Sequence, residues 1–259
     1  MASAAPPEVI GERVLDGVGW VHGPVANVFT FREGGRIYLV DAGFPHNASK
    51  VRLAFREVGV PLSSLTDILL THQHPDHVGG AAYLRWVTHA KVSCHEMDAP
   101  TVEGKGPMTA PLFVRLFLTP QPVQVDRVLR EGDQVGPFTV VSAPGHTLGS
   151  VAFYHPERKL LFCGDALVTS RHGAALARPF SNFDPDQAIS SVEKLASLEV
   201  SAVFAGHGHP ILSNGGRALR EAAKKVSKRP EHRWWTLVGP EGHPETHPKP
   251  EPPTASLSA

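Results

Sequence analysis

The chain has 259 residues, 41% hydrophobic and 19% charged, which is enough apolar mass for one large or two small domains and too little charge for a disordered chain. Its 25 basic and 25 acidic residues cancel, so no global grip on nucleic acid or on an anionic membrane is expected. Two distant cysteines, Cys94 and Cys163, exclude a disulfide scaffold and a cysteine-built zinc cluster, and no apolar run reaches the ~20 residues of a spanning helix.

Met1–Pro7 has neither a basic segment nor a continuous apolar core, so it reads as no export signal and predicts a cytoplasmic protein. Residues up to 45 read as β-structure. Val25, Val28 and Phe29 form one run, and Arg36–Val40 the next, after a Gly34-Gly35 hairpin turn. Asn47 is placed to cap a helix to Val58, with Val51, Leu53, Ala54 and Val58 inward and Pro61 as its stop. Leu65–Leu70 is a short buried strand. It leads into Thr71-His72-Gln73-His74-Pro75-Asp76-His77, and then into a helix through Ala81, Leu84 and Trp86. Lys91–Ser93 is a further strand. Within residues 100–125, Pro107, Pro111, Pro120 and Pro122 surround the apolar stretch Leu112–Leu118, and the segment reads equally as a lid or substrate wall or as a short surface helix.

The second half repeats this style. Phe138–Val141 runs into Pro144-Gly145-His146. Ser150–Tyr154 and Lys159–Phe162 are two more strands, the second ending at Gly164-Asp165 with Cys163 as a core residue. Asp184 caps a helix over Pro185–Leu198 that turns Ile189, Val192, Leu195 and Ala196 inward. Ser201–Phe204 runs into Gly206-His207-Gly208-His209. A catalytic domain is expected over residues 1–215. A basic helical segment over 216–238 and a Pro-rich, disordered tail over 239–259 follow. Trp234-Trp235 would pack on the domain or form a homodimer contact.

Histidine carries the chemistry. His72 and His74 are two apart, so on extended backbone they point to one side. Asp76 and His77 follow as the chain turns into a helix and project differently, which suits a second ion. His146, Asp165 and His207 each follow a glycine at a strand end, where a site can be held rigidly.

The run His72-x-His74-x-Asp76-His77, followed by His146, Asp165 and His207, resembles the metallo-β-lactamase superfamily. Leu39-Val40-Asp41-Ala42-Gly43, Pro144-Gly145-His146-Thr147-Leu148-Gly149-Ser150 and Phe162-Cys163-Gly164-Asp165 resemble it too, and the match covers residues 20–212. The resemblance implies an α/β fold, an αββα sandwich with two sheets inside and helices outside. It implies that His72, His74 and His146 hold one metal, that Asp76, His77 and His207 hold a second, and that Asp165 bridges them. Nitrogen and oxygen donors suit two Zn²⁺ ions and are compatible with Fe or Mn. The implied activity is metal-dependent hydrolysis, in which a hydroxide bridging the two metals cleaves a small ester, thioester, lactone or lactam. One metal polarises the substrate oxygen, the other stabilises the leaving group, and Asp76 orients the nucleophile. Asp41 is expected to hydrogen-bond the loop bearing His72 and His74. His209 and His22 lie outside the ligand pattern, and His243 and His247 belong to the tail.

Departures narrow the branch. The bridging position is Asp165 rather than cysteine, unlike one main class of true β-lactamases. The short span from Asp165 to His207 has no room for the inserted domain of RNA-processing nucleases. Asp76 stands where the diiron flavoproteins carry Glu, and Val168 where quorum-quenching lactonases carry Tyr. Glyoxalase II-like thioesterases share the ligand set, but their C-terminal helical domain is represented only by the basic segment and tail. The alternatives are a mononuclear-iron, persulfide dioxygenase-like oxidoreductase, an RNA or phosphodiester hydrolase, and a non-catalytic binding protein. Leu112, Phe113, Phe117, Phe180 and Phe183 lie in the segments expected to set specificity, and favour a small substrate with a partly hydrophobic acyl group.

Overall fold

The computed structural model describes residues 9–23, 25–108, 118–177 and 182–227, all within one compact unit. Each of its two sheets is an unbroken run of sequence. The first has seven strands in chain order: β1 (Glu12–Leu15), β2 (Val18–Val21), β3 (Val28–Glu33), β4 (Arg36–Val40), β5 (Asp67–Leu69), β6 (Lys91–His95) and β7 (Arg127–Leu129). Pairing is antiparallel from β1 to β4 and parallel from β4 to β7. Parallel neighbours need crossovers. Helix α1 (Asn47–Glu57) supplies the first, and α2 (Pro75–Val78) with α3 (Ala81–Thr88) the second, while α4 (Ala99–Val102) lies between β6 and β7.

The second sheet begins with β8 (Gln134–Val135), β9 (Phe138–Ser142), β10 (Val151–His155), β11 (Leu160–Ser170) and β12 (Gly173–Ala175), antiparallel in that order. After helix α5 (Pro185–Ala196), β13 (Ala202–Gly208) returns parallel to β11, and helix α6 (Gly215–Val226) follows.

The layers follow from strand alternation. Side chains of a strand point alternately to the two faces, and here both faces are buried, so the strands read as nearly continuous apolar runs. In β4, Ile37 and Leu39 face the helices while Tyr38 and Val40 face the other sheet. In β13, Ala202 and Phe204 face the first sheet while Val203 and Ala205 face α5 and α6. Three cores result, two between a sheet and its helices and one between the sheets, which is the four-layer αββα order. The inner core is aromatic. Phe162 stacks on Phe204 at 4.6 Å, and Phe31 meets Phe138 edge-on at 5.1 Å, pairs that contribute about 0.5–1.5 kcal/mol each beyond their burial.

Several sequence expectations shift in detail. The Gly34-Gly35 turn has positive φ at both residues, as a two-residue hairpin between right-twisted strands requires. Asn47 is the first residue of α1 and buried, with His46 in the cap position. The inward face of α1 is Ala48, Val51, Ala54 and Phe55, the i, i+3, i+6, i+7 set, and Leu53 points to solvent. Trp86 is likewise exposed at 74%. Strand β11 runs on through Asp165 to Ser170 because β12 and β13 pair with its distal half. Asp184 caps α5, accepting from the backbone N–H of Asp186 and Gln187 at 3.0 Å each. Helix α6 buries Leu219, Ala222 and Val226 and turns Arg220, Lys224 and Lys225 outward. The central part of the expected lid, together with Phe180, Trp234-Trp235 and the tail, lies outside the described residues. Among the described residues no helix is long and apolar enough to cross a membrane.

Candidate metal centre

The seven polar residues converge where the two sheets meet, four from the first half of the chain and three from the second. His72 follows the end of β5, His74 precedes α2, and Asp76 and His77 lie on α2. His146 is in the loop after β9, Asp165 within β11 and His207 within β13. His72, His74 and His146 bring one ligand atom each within 4.8 Å of one another, as do His72, His77 and Asp165, and Asp76, His77 and His207. His74 Nδ1 is 2.9 Å from His146 Nε2. Asp165 is central, with Oδ1 3.3 Å from His77 Nε2 and Oδ2 3.4 Å from His146 Nε2 and 3.1 Å from His207 Nε2. Asp76 Oδ2 lies 3.4 Å from His207 Nε2 and 3.7 Å from His77 Nε2.

Neighbours fix the ring orientations. His72 Nδ1 lies 3.0 Å from Thr71 Oγ1, whose hydroxyl donates to Asp41. His77 Nδ1 donates to Asp41 Oδ2 at 2.8 Å. His146 Nδ1 faces Asn182 Oδ1 at 3.3 Å, and His207 Nδ1 donates to the Val25 carbonyl at 2.9 Å. Each bond leaves Nε2 directed at the centre. Asp41 therefore holds the loop as expected, through Thr71, and also anchors His77. The backbone of Asn27 donates to Gly206 O, and its side-chain amide donates to Ala205 O and Gly208 O, which pins the end of β13 around His207. Gly206 has a packing reason, because a Cβ there would sit 2.2 Å from Asp165 Oδ1 and 2.6 Å from the His77 ring.

Among the described residues, three atoms of this centre are buried without a hydrogen-bond partner: His72 Nε2, His77 Nε2 and Asp165 Oδ1. Although the last two are 3.3 Å apart, they are not aligned as donor and acceptor. Buried polar atoms are normally satisfied, so three orphans within this donor set fit cations that the set would coordinate.

The electrostatics divide the histidines. Burial, reinforced by neighbouring histidines, holds His72 well below its usual range and His146 down at about 4, so both keep neutral rings with lone pairs available. Burial also works against charge on His77 and His207. There the facing carboxylates win, Asp165, Asp41 and Asp76 raising His77 to about 9, and Asp165 and Asp76 raising His207 to about 11. Burial opposes the charge on Asp165 and Asp76 as well, but the histidines outweigh it and both carboxyls fall below the usual range. Protons on His77 and His207 thus balance the carboxylates where a cation would do the same.

His209 is in none of the ligand groups, and its ring meets Trp20 edge-on at 5.8 Å. His22 stacks on Trp20 and pairs with Glu12 at 2.6 Å. Sequence reasoning missed Asp98, Asn182 and Asn27, which hold the ligand loops. Of these only Asp98 carried a signal, a polar residue just beyond an apolar strand.

The family model described as metallo-beta-lactamase superfamily matches residues 23–207. A hydroxyacylglutathione hydrolase of Pseudomonas aeruginosa is 35% identical over 67% of this chain and 62% of its own length, so the chain spans less than two thirds of that enzyme. A probable metallo-hydrolase of Bacillus subtilis, YflN, is 27% identical over 80% of this chain and 91% of its own. Among solved structures, TTHA1623 in a di-iron-bound form superposes with TM-score 0.60 and 32% identity over 73% of this chain and 91% of its own. The subclass B3 metallo-beta-lactamase BJP-1 of Bradyrhizobium japonicum superposes with TM-score 0.66 at 21% identity, covering 85% of this chain and 93% of its own, a likeness of fold.

Proposed function

The chain belongs to the metallo-β-lactamase superfamily, and on that footing we propose that it is a dinuclear metallohydrolase cleaving a small ester, thioester, lactone or lactam. The single observation that carries this reading is the set of inward orphans, His72 Nε2, His77 Nε2 and Asp165 Oδ1. His72, His74 and His146 would hold one ion, Asp76, His77 and His207 the other, and Asp165 both. Zn²⁺ is the proposed native ion, with Fe the competing choice because TTHA1623 carries two irons. Such ions supply a hydroxide nucleophile at neutral pH and a Lewis acid for the substrate oxygen.

The chain's own residues do the rest. Asp76, kept ionised by His77 and His207, accepts a hydrogen bond from the attacking water and so orients it. Asp41 and Thr71 keep His72 and His77 aimed inward. Val25, whose carbonyl receives His207 Nδ1, and Phe183, whose N–H donates to His146 O, expose apolar side chains beside the centre. Leu148, two residues beyond His146, is exposed as well. That rim suits a hydrophobic acyl group on the substrate. The likeness to hydroxyacylglutathione hydrolase supports a thioester as one substrate to try.

The test is to strip the chain with a chelator, reload it with Zn²⁺, Fe²⁺ or Mn²⁺, and assay lactone, thioester, β-lactam and phosphodiester substrates. Hydrolysis of an acyl substrate should return with two ions per chain. Phosphodiester cleavage alone would favour the nuclease reading. Oxygen consumption with one iron per chain would favour the oxidoreductase reading.

A further inference from the structure

Asp98 is fully buried at the N-terminal cap position of α4, yet its side chain does not cap that helix. An aspartate there ordinarily accepts from the first turn. Instead this carboxylate reaches two ligand-bearing loops at once. Oδ2 accepts from the Gln73 N–H at 2.9 Å and from the Thr147 hydroxyl at 2.7 Å. Oδ1 accepts from the Gln73 side-chain amide at 2.8 Å and from the Gly149 N–H at 3.0 Å. Gln73 lies between His72 and His74, and Thr147 follows His146. None of the four donors is charged, so this buried carboxylate is stabilised by hydrogen bonds whose geometry has to be kept. The fit is tight, since a Cβ on Gly149 would come within 2.5 Å of Asp98 Cγ.

Asp41 does the complementary work, accepting from the Thr71 N–H and hydroxyl and from His77 Nδ1. It ties the same loop to α2 rather than to the His146 loop. The two buried carboxylates thus divide the centre, Asp98 spanning the loops of the three-histidine group and Asp41 spanning the loop and helix that carry His72 and His77.

We propose that Asp98 is a positioning residue that sets the spacing between His72/His74 and His146, and so governs divalent-ion affinity at the three-histidine group selectively. This cross-link holds the Gln73 and Thr147 backbones to a common point, and the 2.9 Å approach of His74 to His146 depends on where those backbones sit. Thr147 is part of the same device, with its N–H and hydroxyl also meeting Ser150 Oγ at 2.9 Å each. The inference rests on the dinuclear reading above.

The experiment uses the full chain and Co²⁺ as a visible probe, with competing chelators to measure each affinity. In a His207→Ala background, which leaves the three-histidine group intact, Asp98→Asn should weaken Co²⁺ binding roughly 10- to 100-fold. In a His146→Ala background, the same substitution should leave the remaining affinity unchanged. Thr147→Val removes one donor with less risk to folding. It should weaken the three-histidine group by a smaller factor, and its effect should be less than additive with that of Asp98→Asn, because the two share the Thr147–Asp98 bond. Equal weakening in the two backgrounds, or none in either, overturns the role of Asp98. A native chain that binds no divalent ion removes the dinuclear reading, and this inference with it.

Discussion

Asp76 and His77 are adjacent on α2, yet only Asp76 is partly open, at 19% side-chain exposure against zero for His77. That contrast separates a group that can meet substrate from one that only holds the centre. Asp76→Asn should therefore keep most of the bound metal, as read by elemental analysis, while turnover falls by roughly 10²–10⁴-fold, the range of a lost proton-handling group. Full turnover with bound metal would remove Asp76 from the chemistry. The raised pKa values of His77 and His207 give a second expectation. Between about 6.5 and about 9 the metal-free His77 carries a proton that metal must displace. Titration calorimetry in two buffers of different ionisation enthalpy should then show proton release on metal binding, and equal observed heats in the two buffers would refute it. The seven clustered residues were legible in the sequence because their types and order are unusual. Of their supports Asp41 was legible too and Asp98 left only its place after a strand, whereas Asn182 and Asn27 were hidden because they are common residues whose partners lie far along the chain.

At the level of elements, patterning located most strands and helices, and geometry decided their ends. Strand β11 outruns its apolar run because β13 and β12 supply partners beyond Gly164, so the polar Asp165 lies inside a strand instead of after one. Strands β7 and β8 are too short and polar to announce themselves. The outward turn of Leu53 shows that α1 is phased by Val51 and Phe55, the residues that fill the gap over the first sheet. Helix α5 has a particular duty, because the segment before it donates to His146 O through Phe183 N and to Gly145 O through Asp184 N. Removing its cap with Asp184→Ala should cost about 1 kcal/mol in denaturant unfolding and should also weaken metal binding. A stability loss without any change in metal affinity would uncouple α5 from the site.

Across the whole molecule, the centre links pH to folding. In the metal-free chain, His77 and His207 have raised folded pKa values, so their contribution is complete below about 6.5 and is lost as pH climbs through about 9 and then about 11. His146 is shifted the other way, so its contribution is complete above about 6.5 and fades as pH falls toward about 4. Metal-free protein should accordingly lose thermal stability on both sides of neutrality. Loaded protein should resist the alkaline loss, and should gain about 2.7 kcal/mol when free metal exceeds its Kd 100-fold. Melting curves across pH, with and without metal, check both; parallel curves would contradict the linkage.

The first sheet closes at Leu129 and the second opens at Gln134, with an exposed turn over residues 130–133 between them. Severing the backbone in that turn would yield two fragments, each owning one sheet and an incomplete set of the clustered side chains. Divalent cations would then act as glue between separate polypeptides. Sedimentation of the co-expressed pieces should show an association that tightens with added metal and relaxes when a chelator takes it away.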